Sequence, residues 1–149
     1  MSAATAVGAA PTLSPDAAAL DDTTRAALRA YLQALGDDEM LLGHRDIAFS
    51  SMAQDELGHA QVWYGVLHQH FGAPTPDAIA FLRDAPDWRN AQLVELPRGD
   101  YAFSLVRQYL FDVAEAIRYG ALAESPWPAL AEAAAKLRQE EKYHLLHGR

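Results

Sequence analysis

The sequence contains no cysteine among its 149 residues. This absence excludes disulfide bonds, thiolate zinc sites, iron–sulfur clusters and cysteine nucleophiles. Any bound metal must therefore be held by Asp, Glu and His, a set of donors that suits iron, manganese or magnesium.

Basic residues are also scarce, because 12 Lys and Arg face 20 Asp and Glu, which gives a net charge of −8. An acidic chain is a poor partner for nucleic acid or for an anionic membrane. No apolar run approaches the roughly 20 residues of a membrane-spanning helix, and residues 1–10 lack the basic start of a signal peptide. These features predict a soluble cytoplasmic protein of one domain.

Apolar residues recur at helical spacing along most of the chain, and no segment alternates as a half-buried strand does. The periodicity predicts four helices, at about 23–45, 48–71, 100–124 and 128–147. The connection 72–99, which contains four prolines, separates the second helix from the third. We therefore expect an all-α four-helix bundle with a long crossover between helices 2 and 3. A flexible arm, 1–22, would precede the bundle domain, 23–149.

Acidic residues interrupt the apolar stripe of all four predicted helices, at Glu39, Glu56, Asp112 and Glu141. Burying a carboxylate without a partner is costly, so these positions need an explanation. Two of the acids are followed three residues later by histidine, at His59 and His144. Residues at this spacing lie on one helix face, where Glu and His can bind one cation together.

Two Glu-x-x-His pairs, with one carboxylate from each of the other two helices, match the ligand set of di-iron sites in ferritin-like bundles. Chance predicts about 0.3 such motifs in a chain of this composition, yet two occur, on the second and fourth helices. The pattern predicts a ferritin-like bundle and a centre of two iron ions, with manganese as an alternative. The alternative interpretation is four solvated helices whose acids fall in phase by coincidence. The predicted ligands are Glu39, Glu56, His59, Asp112, Glu141 and His144.

The third helix offers two acids, Asp112 and Glu115, one turn apart. The stripe through Asp112 is mostly apolar, whereas the stripe through Glu115 is mixed and polar, so Asp112 is the preferred ligand. Glu115 remains the alternative metal ligand, or a surface acid that faces Arg118 or a partner subunit.

Only 17 residues separate Glu39 from Glu56 (56 − 39), which requires a short turn near Ile47. Asp55 and Glu140 each precede a Glu-x-x-His motif. Because a metal-binding histidine usually donates its second N–H to a carboxylate or carbonyl, these two acids are candidates to orient the histidines. They can equally be exposed surface acids.

Residues 31–149 resemble the ferritin-like subunits of the phenylacetate-degradation oxygenase, a family that epoxidises phenylacetyl-CoA. The resemblance rests on five segments: 34–39 (ALGDDE), 54–59 (QDELGH), 80–84 (AFLRD), 107–112 (RQYLFD) and 140–144 (EEKYH). The family has a subunit that carries the di-iron centre and a related C-type subunit that often lacks ligands and acts as a structural partner.

The crossover and the Arg-Gln-Tyr segment resemble the C-type subunit, whereas the ligand positions are filled as in the catalytic type. Asp112, rather than Glu115, matches the family's ligand position. Family members are usually longer between the first two ligands and continue past the second motif, so we expect a shortened form here.

The resemblance implies a di-iron monooxygenase component that acts on an aromatic CoA thioester, with a related ferritin-like subunit and a separate reductase as partners. A second hypothesis is a non-catalytic subunit that docks the catalytic one. A third is an iron-oxidising or peroxide-scavenging bundle of the ferritin or rubrerythrin kind.

Overall fold

The computed structural model describes residues 12–45, 50–97 and 99–147, and within them it leaves the side chains of residues 42–45, 50 and 147 undescribed. The chain forms α1 (Pro15–Ala19), α2 (Asp22–Arg45), α3 (Ser50–Phe71), α4 (Pro76–Phe81), a 3₁₀ turn (Ala85–Asp87), α5 (Gln92–Glu95), α6 (Tyr101–Leu122) and α7 (Pro128–His147). The described residues form no strand, only an isolated bridge between Leu13 and Phe71. The all-α prediction is confirmed.

The long helices begin and end where local chemistry favours it. The carboxylate of Asp21 accepts a hydrogen bond from the Thr24 N–H at 2.9 Å and caps α2, and Asp100 accepts one from the Phe103 N–H at 2.8 Å and caps α6. At the end of α3, Gly72 has a positive φ of 62°, which a glycine adopts without strain. The predicted turn near Ile47 lies outside the described residues.

The core lies between two helical pairs, α2 with α3 and α6 with α7, and α3 also packs against α7. Its centre contains fully buried aromatic and aliphatic side chains from all four helices, among them Leu32, Trp63, Tyr119 and Leu137. Gly36 brings α2 and α3 close together, because a Cβ there would overlap the ring of Tyr64. This packing confirms the ferritin-like bundle arrangement predicted for the four long helices.

The predicted crossover contains more regular structure than its prolines suggested. It contains α4, the 3₁₀ turn and α5. Arg83 fixes this segment to α2, since its guanidinium forms two hydrogen bonds with the buried carboxylate of Asp37. The same guanidinium lies 4.4 Å from the centroid of the Trp88 ring.

Part of the predicted N-terminal arm is folded against α3. Ala17 of α1 is fully buried, the Ser14 N–H donates to the His70 carbonyl at 3.1 Å, and Arg25 donates to the Ala17 carbonyl at 2.8 Å. Small residues allow this close packing, which the sequence alone did not indicate. Residues 1–11 of the predicted arm lie outside the described residues, and the domain boundary at 22/23 stays a prediction.

None of the helices in the described part of the chain combines the length and apolar character that crossing a bilayer would require.

Candidate metal centre

The six side chains predicted to bind metal converge in the interior, and all are at most 2 % exposed. One group of potential donor atoms, within 4.8 Å of one another, comes from Glu39, Glu56, His59 and Glu141. A second group, equally compact, comes from Glu56, Asp112 and His144. Every long helix contributes, so the centre ties α2, α3, α6 and α7 together.

Both histidines turn Nδ1 towards the carboxylates. His59 Nδ1 lies 3.4 Å from Glu141 Oε1, 3.5 Å from Glu56 Oε2 and 3.8 Å from Glu39 Oε1. His144 Nδ1 lies 3.4 Å from Glu56 Oε1 and 3.7 Å from Glu141 Oε1. Glu56 and Glu141 therefore lie between the two imidazoles, where each carboxylate can bridge two ions.

The outer nitrogens of the histidines contact the two acids that precede the motifs, and the contacts cross between helices. His59 Nε2 of α3 lies 2.9 Å from Glu140 Oε2 of α7. His144 Nε2 of α7 lies 3.2 Å from Asp55 Oδ2 of α3. A carboxylate at Nε2 favours a proton on that nitrogen, so the inward-facing Nδ1 would become a ligand once it lost its own proton, as a ligating histidine requires.

Two further side chains contact the predicted ligands and were not identified from the sequence. Gln108 Nε2 donates to Glu56 Oε1 at 2.6 Å and to Asp112 Oδ1 at 2.8 Å. The Tyr119 hydroxyl donates to Glu39 Oε1. Gln108 lies four residues before Asp112 on the same helix face, a signal that was present in the sequence, whereas nothing local links Tyr119 to Glu39.

Glu115, the alternative ligand, is buried rather than exposed, but neither compact donor group in the described chain includes it. Its Oε1 lies 2.9 Å from the guanidinium of Arg118, one turn further along α6. The sequence suggested this ion pair only for a surface position. The geometry favours Asp112 as the third-helix donor.

Burial and mutual repulsion raise the pKa values of several of these acids in the metal-free chain. Burial and the charge of Glu56 raise the pKa of Asp112 to about 7 and that of Glu141 to about 8, and the same two causes raise the pKa of Glu39 well above its ordinary value. Burial opposes the charged form of Glu56, but its close contacts with Glu39, His144 and His59 outweigh burial and lower the pKa of Glu56.

The pKa values of the two histidines are also raised, which in their case favours the charged form. Burial alone would lower the pKa of His59, but contacts with Glu39 and Glu56 raise it to about 12. Burial likewise opposes protonation of His144, and Glu56, Glu141 and Asp55 together raise its pKa to about 9. In the metal-free chain, imidazolium groups therefore occupy the positions that a cation would take.

A solvent-filled groove of about 680 Å³ runs between α3 and α7. Asp55 and Glu140 line it, together with Gly58, whose missing side chain leaves open space. The outer acids thus connect the buried histidines with solvent.

The model of the family described as phenylacetic acid catabolic protein matches residues 12–149. The chain belongs to this family. The C subunit of 1,2-phenylacetyl-CoA epoxidase from Escherichia coli (strain K12) is 33% identical over 135 residues, covering 82% of this chain and 54% of the relative. The chain therefore spans about half the length of this curated relative. The family resemblance and its C-type character are confirmed.

In this member of the phenylacetic acid catabolic family, the buried donors fit a pair of metal ions. The six predicted ligands together contain seven buried polar atoms without a hydrogen-bond partner among the described residues: Glu39 Oε2, Glu56 Oε2, His59 Nδ1, Asp112 Oδ2, Glu141 Oε1 and Oε2, and His144 Nδ1. Buried polar atoms normally have a hydrogen-bond partner. A cluster of potential metal-ligand atoms without such partners is therefore typical of a ligand site. Imidazole and carboxylate donors suit iron or manganese.

Proposed function

We propose that this chain is the di-iron component of an oxygenase that inserts one atom of O₂ into the ring of an aromatic CoA thioester. The reaction class follows from the ring epoxidation named for the relative from E. coli. The observation that supports the metal role most directly is the set of buried carboxylate oxygens and histidine Nδ1 atoms, contributed by all four long helices, that have no hydrogen-bond partner among the described residues.

In this proposal Glu39 with His59 would hold one ion and Asp112 with His144 would hold the other, and Glu56 and Glu141, which lie near both histidines, would supply the remaining carboxylate ligands. Two ferrous ions bound there supply the binding and reduction of O₂. The chain's own residues fix the ligands, since Asp55 and Glu140 orient the histidines. Gln108 restrains Glu56 and Asp112, and the surrounding core excludes water.

Electrons would come from a separate reductase, because a chain without cysteine holds no iron–sulfur cluster of its own. A related ferritin-like subunit is the expected partner, since the relative is one lettered subunit of an epoxidase.

A non-catalytic role is the second candidate, and the likeness to the C subunit of the epoxidase favours it. In that case the chain docks a catalytic sister subunit, and the buried acids and histidines contribute only to its folding. A ferritin- or rubrerythrin-like role is a third candidate, which needs the ligands alone. Rapid peroxide consumption without reductase or CoA ester would support that third role.

Reconstitution of the oxygenase from this chain, its sister subunit and the reductase separates the first two candidates. Glu56→Gln and His144→Ala should leave the complex assembled on a sizing column and abolish formation of the oxygenated CoA ester. The matched control Glu132→Gln, an exposed acid on α7, should retain turnover. Normal turnover by an intact complex that contains either ligand variant would contradict catalysis at this centre and establish the docking role.

A further inference from the structure

Tyr119 and Trp63 form a buried aromatic pair beside the candidate metal centre. Both side chains are fully buried. The Tyr119 hydroxyl donates to Glu39 Oε1 and accepts a hydrogen bond from Trp63 Nε1 at 3.3 Å. The two ring centroids lie 5.6 Å apart. A continuous path of two hydrogen bonds thus leads from a predicted ligand into the core.

We propose that Tyr119 and Trp63 are one-electron donors to the oxidised metal centre when no substrate is bound. The inference rests on the proposed function, because it requires a pair of iron ions at the six donors. It assigns to two aromatic side chains a redox role that their packing alone does not require.

The electron count explains why such donors are needed. Reduction of O₂ to two water molecules takes four electrons and four protons. Two electrons come from a pair of ferrous ions that become ferric. The other two normally come from the reductase, so without reductase and substrate they must come from the protein.

Tyr119 supplies the third electron. Its O–H bond breaks, the proton moves to the Glu39 carboxylate along the existing hydrogen bond, and the electron passes to the metal centre, which leaves a neutral tyrosyl radical. Trp63 can then return one electron and its Nε1 proton to the Tyr119 oxygen. Once Glu39 has passed the first proton on to the reduced oxygen, the restored phenol supplies the fourth electron and a second proton in the same way. Solvent provides the two remaining protons of the two water molecules.

Other tyrosines are less suited to this role. The hydroxyl of Tyr64 donates to Asp37, at 2.7 Å, within the ion pair that Asp37 forms with Arg83, and Tyr143 is 74% exposed. Tyr119 combines burial with a hydrogen bond to a predicted ligand and an oxidisable neighbour. Exclusion of water from this part of the core protects a radical from quenching.

The test mixes the ferrous-loaded full-length chain with O₂, without substrate or reductase, and freezes samples at millisecond intervals for electron paramagnetic resonance. The expected result is a tyrosyl radical whose hyperfine splitting narrows when the protein carries ring-deuterated tyrosine. Tyr119→Phe should lose this signal, whereas Tyr143→Phe should keep it. Trp63→Phe should prolong the radical and shift its g-tensor, because the hydrogen bond to the Tyr119 oxygen is lost.

Bound iron is measured in the same samples, so the two proposals fail separately. If the chain binds iron and consumes O₂ but forms no tyrosyl radical, or if Tyr119→Phe keeps the signal, the redox role is wrong and the metal centre stands. Should Tyr119→Phe bind no iron, an unchanged g-tensor in Trp63→Phe would overturn the assignment to Tyr119, and a shifted one would support it. If the unmodified chain binds no iron, both proposals fail.

Discussion

Three consecutive acids on α2 differ in how their buried charge is compensated. The carboxylate of Asp37 contacts the Arg83 guanidinium, the Tyr64 hydroxyl at 2.7 Å and the Arg89 N–H at 3.0 Å. Its neighbour Asp38 accepts from the Ala91 N–H at 2.6 Å and lies 3.8 Å from the Arg118 guanidinium. Glu39 has only the Tyr119 hydroxyl as a hydrogen-bond partner among the described residues, and its Oε2 has none.

The difference distinguishes Asp37 and Asp38, which have a structural role, from Glu39, whose buried carboxylate is available to bind a ligand. Asp37 and Asp38 face the crossover and accept hydrogen bonds from it, so they attach α4, the 3₁₀ turn and α5 to the bundle. At Asp38, burial still outweighs the Ala91 N–H and Arg118 and raises the pKa to about 6. Glu39, one residue further, faces the interior, where burial and the charge of Glu56 raise its pKa. An uncompensated buried carboxylate destabilises a protein unless a cation binds it.

The largest loss of stability is expected when the carboxylate of Asp37 is removed. Asp37→Ala leaves the Arg83 guanidinium and the Tyr64 hydroxyl without their shared acceptor, so the free energy of unfolding of the metal-free chain should fall by about 3–5 kcal/mol. Urea denaturation followed by circular dichroism measures this change. Asp84→Ala, at an exposed crossover residue whose side chain caps no N–H, is the matched control. A loss for Asp37→Ala no larger than that of the control would show that the network does not hold the crossover.

The second prediction concerns Glu141 of the candidate metal centre, for comparison with Asp37. Glu141→Gln should change the stability of the metal-free chain by less than about 1 kcal/mol, because burial and the charge of Glu56 raise the pKa of Glu141 to about 8 and so favour its neutral form at pH 7. The stabilisation by ferrous iron, about 2.7 kcal/mol at a hundred times the Kd, should disappear. Thermal melts with and without iron measure both quantities, with Glu132→Gln as the control. Undiminished stabilisation of Glu141→Gln would remove Glu141 from the ligand set.

The third prediction concerns Asp55 and Glu140, the acids that contact the Nε2 atoms of His144 and His59. Asp55→Asn and Glu140→Gln should each weaken metal affinity by roughly 10–100-fold, because the histidines lose the carboxylates that orient them. Competition with a chromophoric chelator measures the affinity. Gln54→Ala changes a residue that lines the same groove and should leave the affinity unchanged. Equal affinities for all three variants would mean that the two acids are ordinary surface groups.

The smallest effect is the pH dependence of the metal-free chain. Burial and the charge of Glu56 raise the pKa of Asp112 and of Glu141, and contacts with acids raise that of His144 against the effect of burial. The folded state therefore binds more protons than the unfolded state between about pH 5 and 8, so stability falls as pH rises through this window. We expect the melting temperature of the metal-free chain to be lower at pH 7.5 than at pH 5.5, which thermal melts at the two pH values measure.

Iron binding should show the opposite trend, because ligands must release protons to bind the metal. The difference in melting temperature between iron-loaded and metal-free chains should therefore widen from pH 5.5 to 7.5. A constant difference across this range would contradict proton release at the centre.

The recurrence of residues at helical spacing was sufficient to predict the four long helices and the six side chains that converge between them. The stripes of the four long helices located α2, α3, α6 and α7, and the two Glu-x-x-His motifs with Glu39 and Asp112 selected six side chains that the fold brings together. Their role as ligands stays a prediction, but their convergence follows from periodicity, since residues at i and i+3 share a face.

Contacts between distant parts of the chain could not be predicted in the same way. The crossing of Asp55 to His144 and of Glu140 to His59 depends on how α3 and α7 pack. The bond from Tyr119 to Glu39 joins residues 80 positions apart, and that from Arg83 to Asp37 joins residues 46 apart. No local pattern specifies such pairs, because tertiary packing selects them.

The most direct test of the central claim is the iron content and structure of protein produced with ample iron. We expect about two iron ions per chain, located between α2, α3, α6 and α7 by anomalous scattering, with Glu56 and Glu141 between them. Well under one iron per chain, or iron bound outside the six side chains, would contradict the metal centre and leave only a helical scaffold.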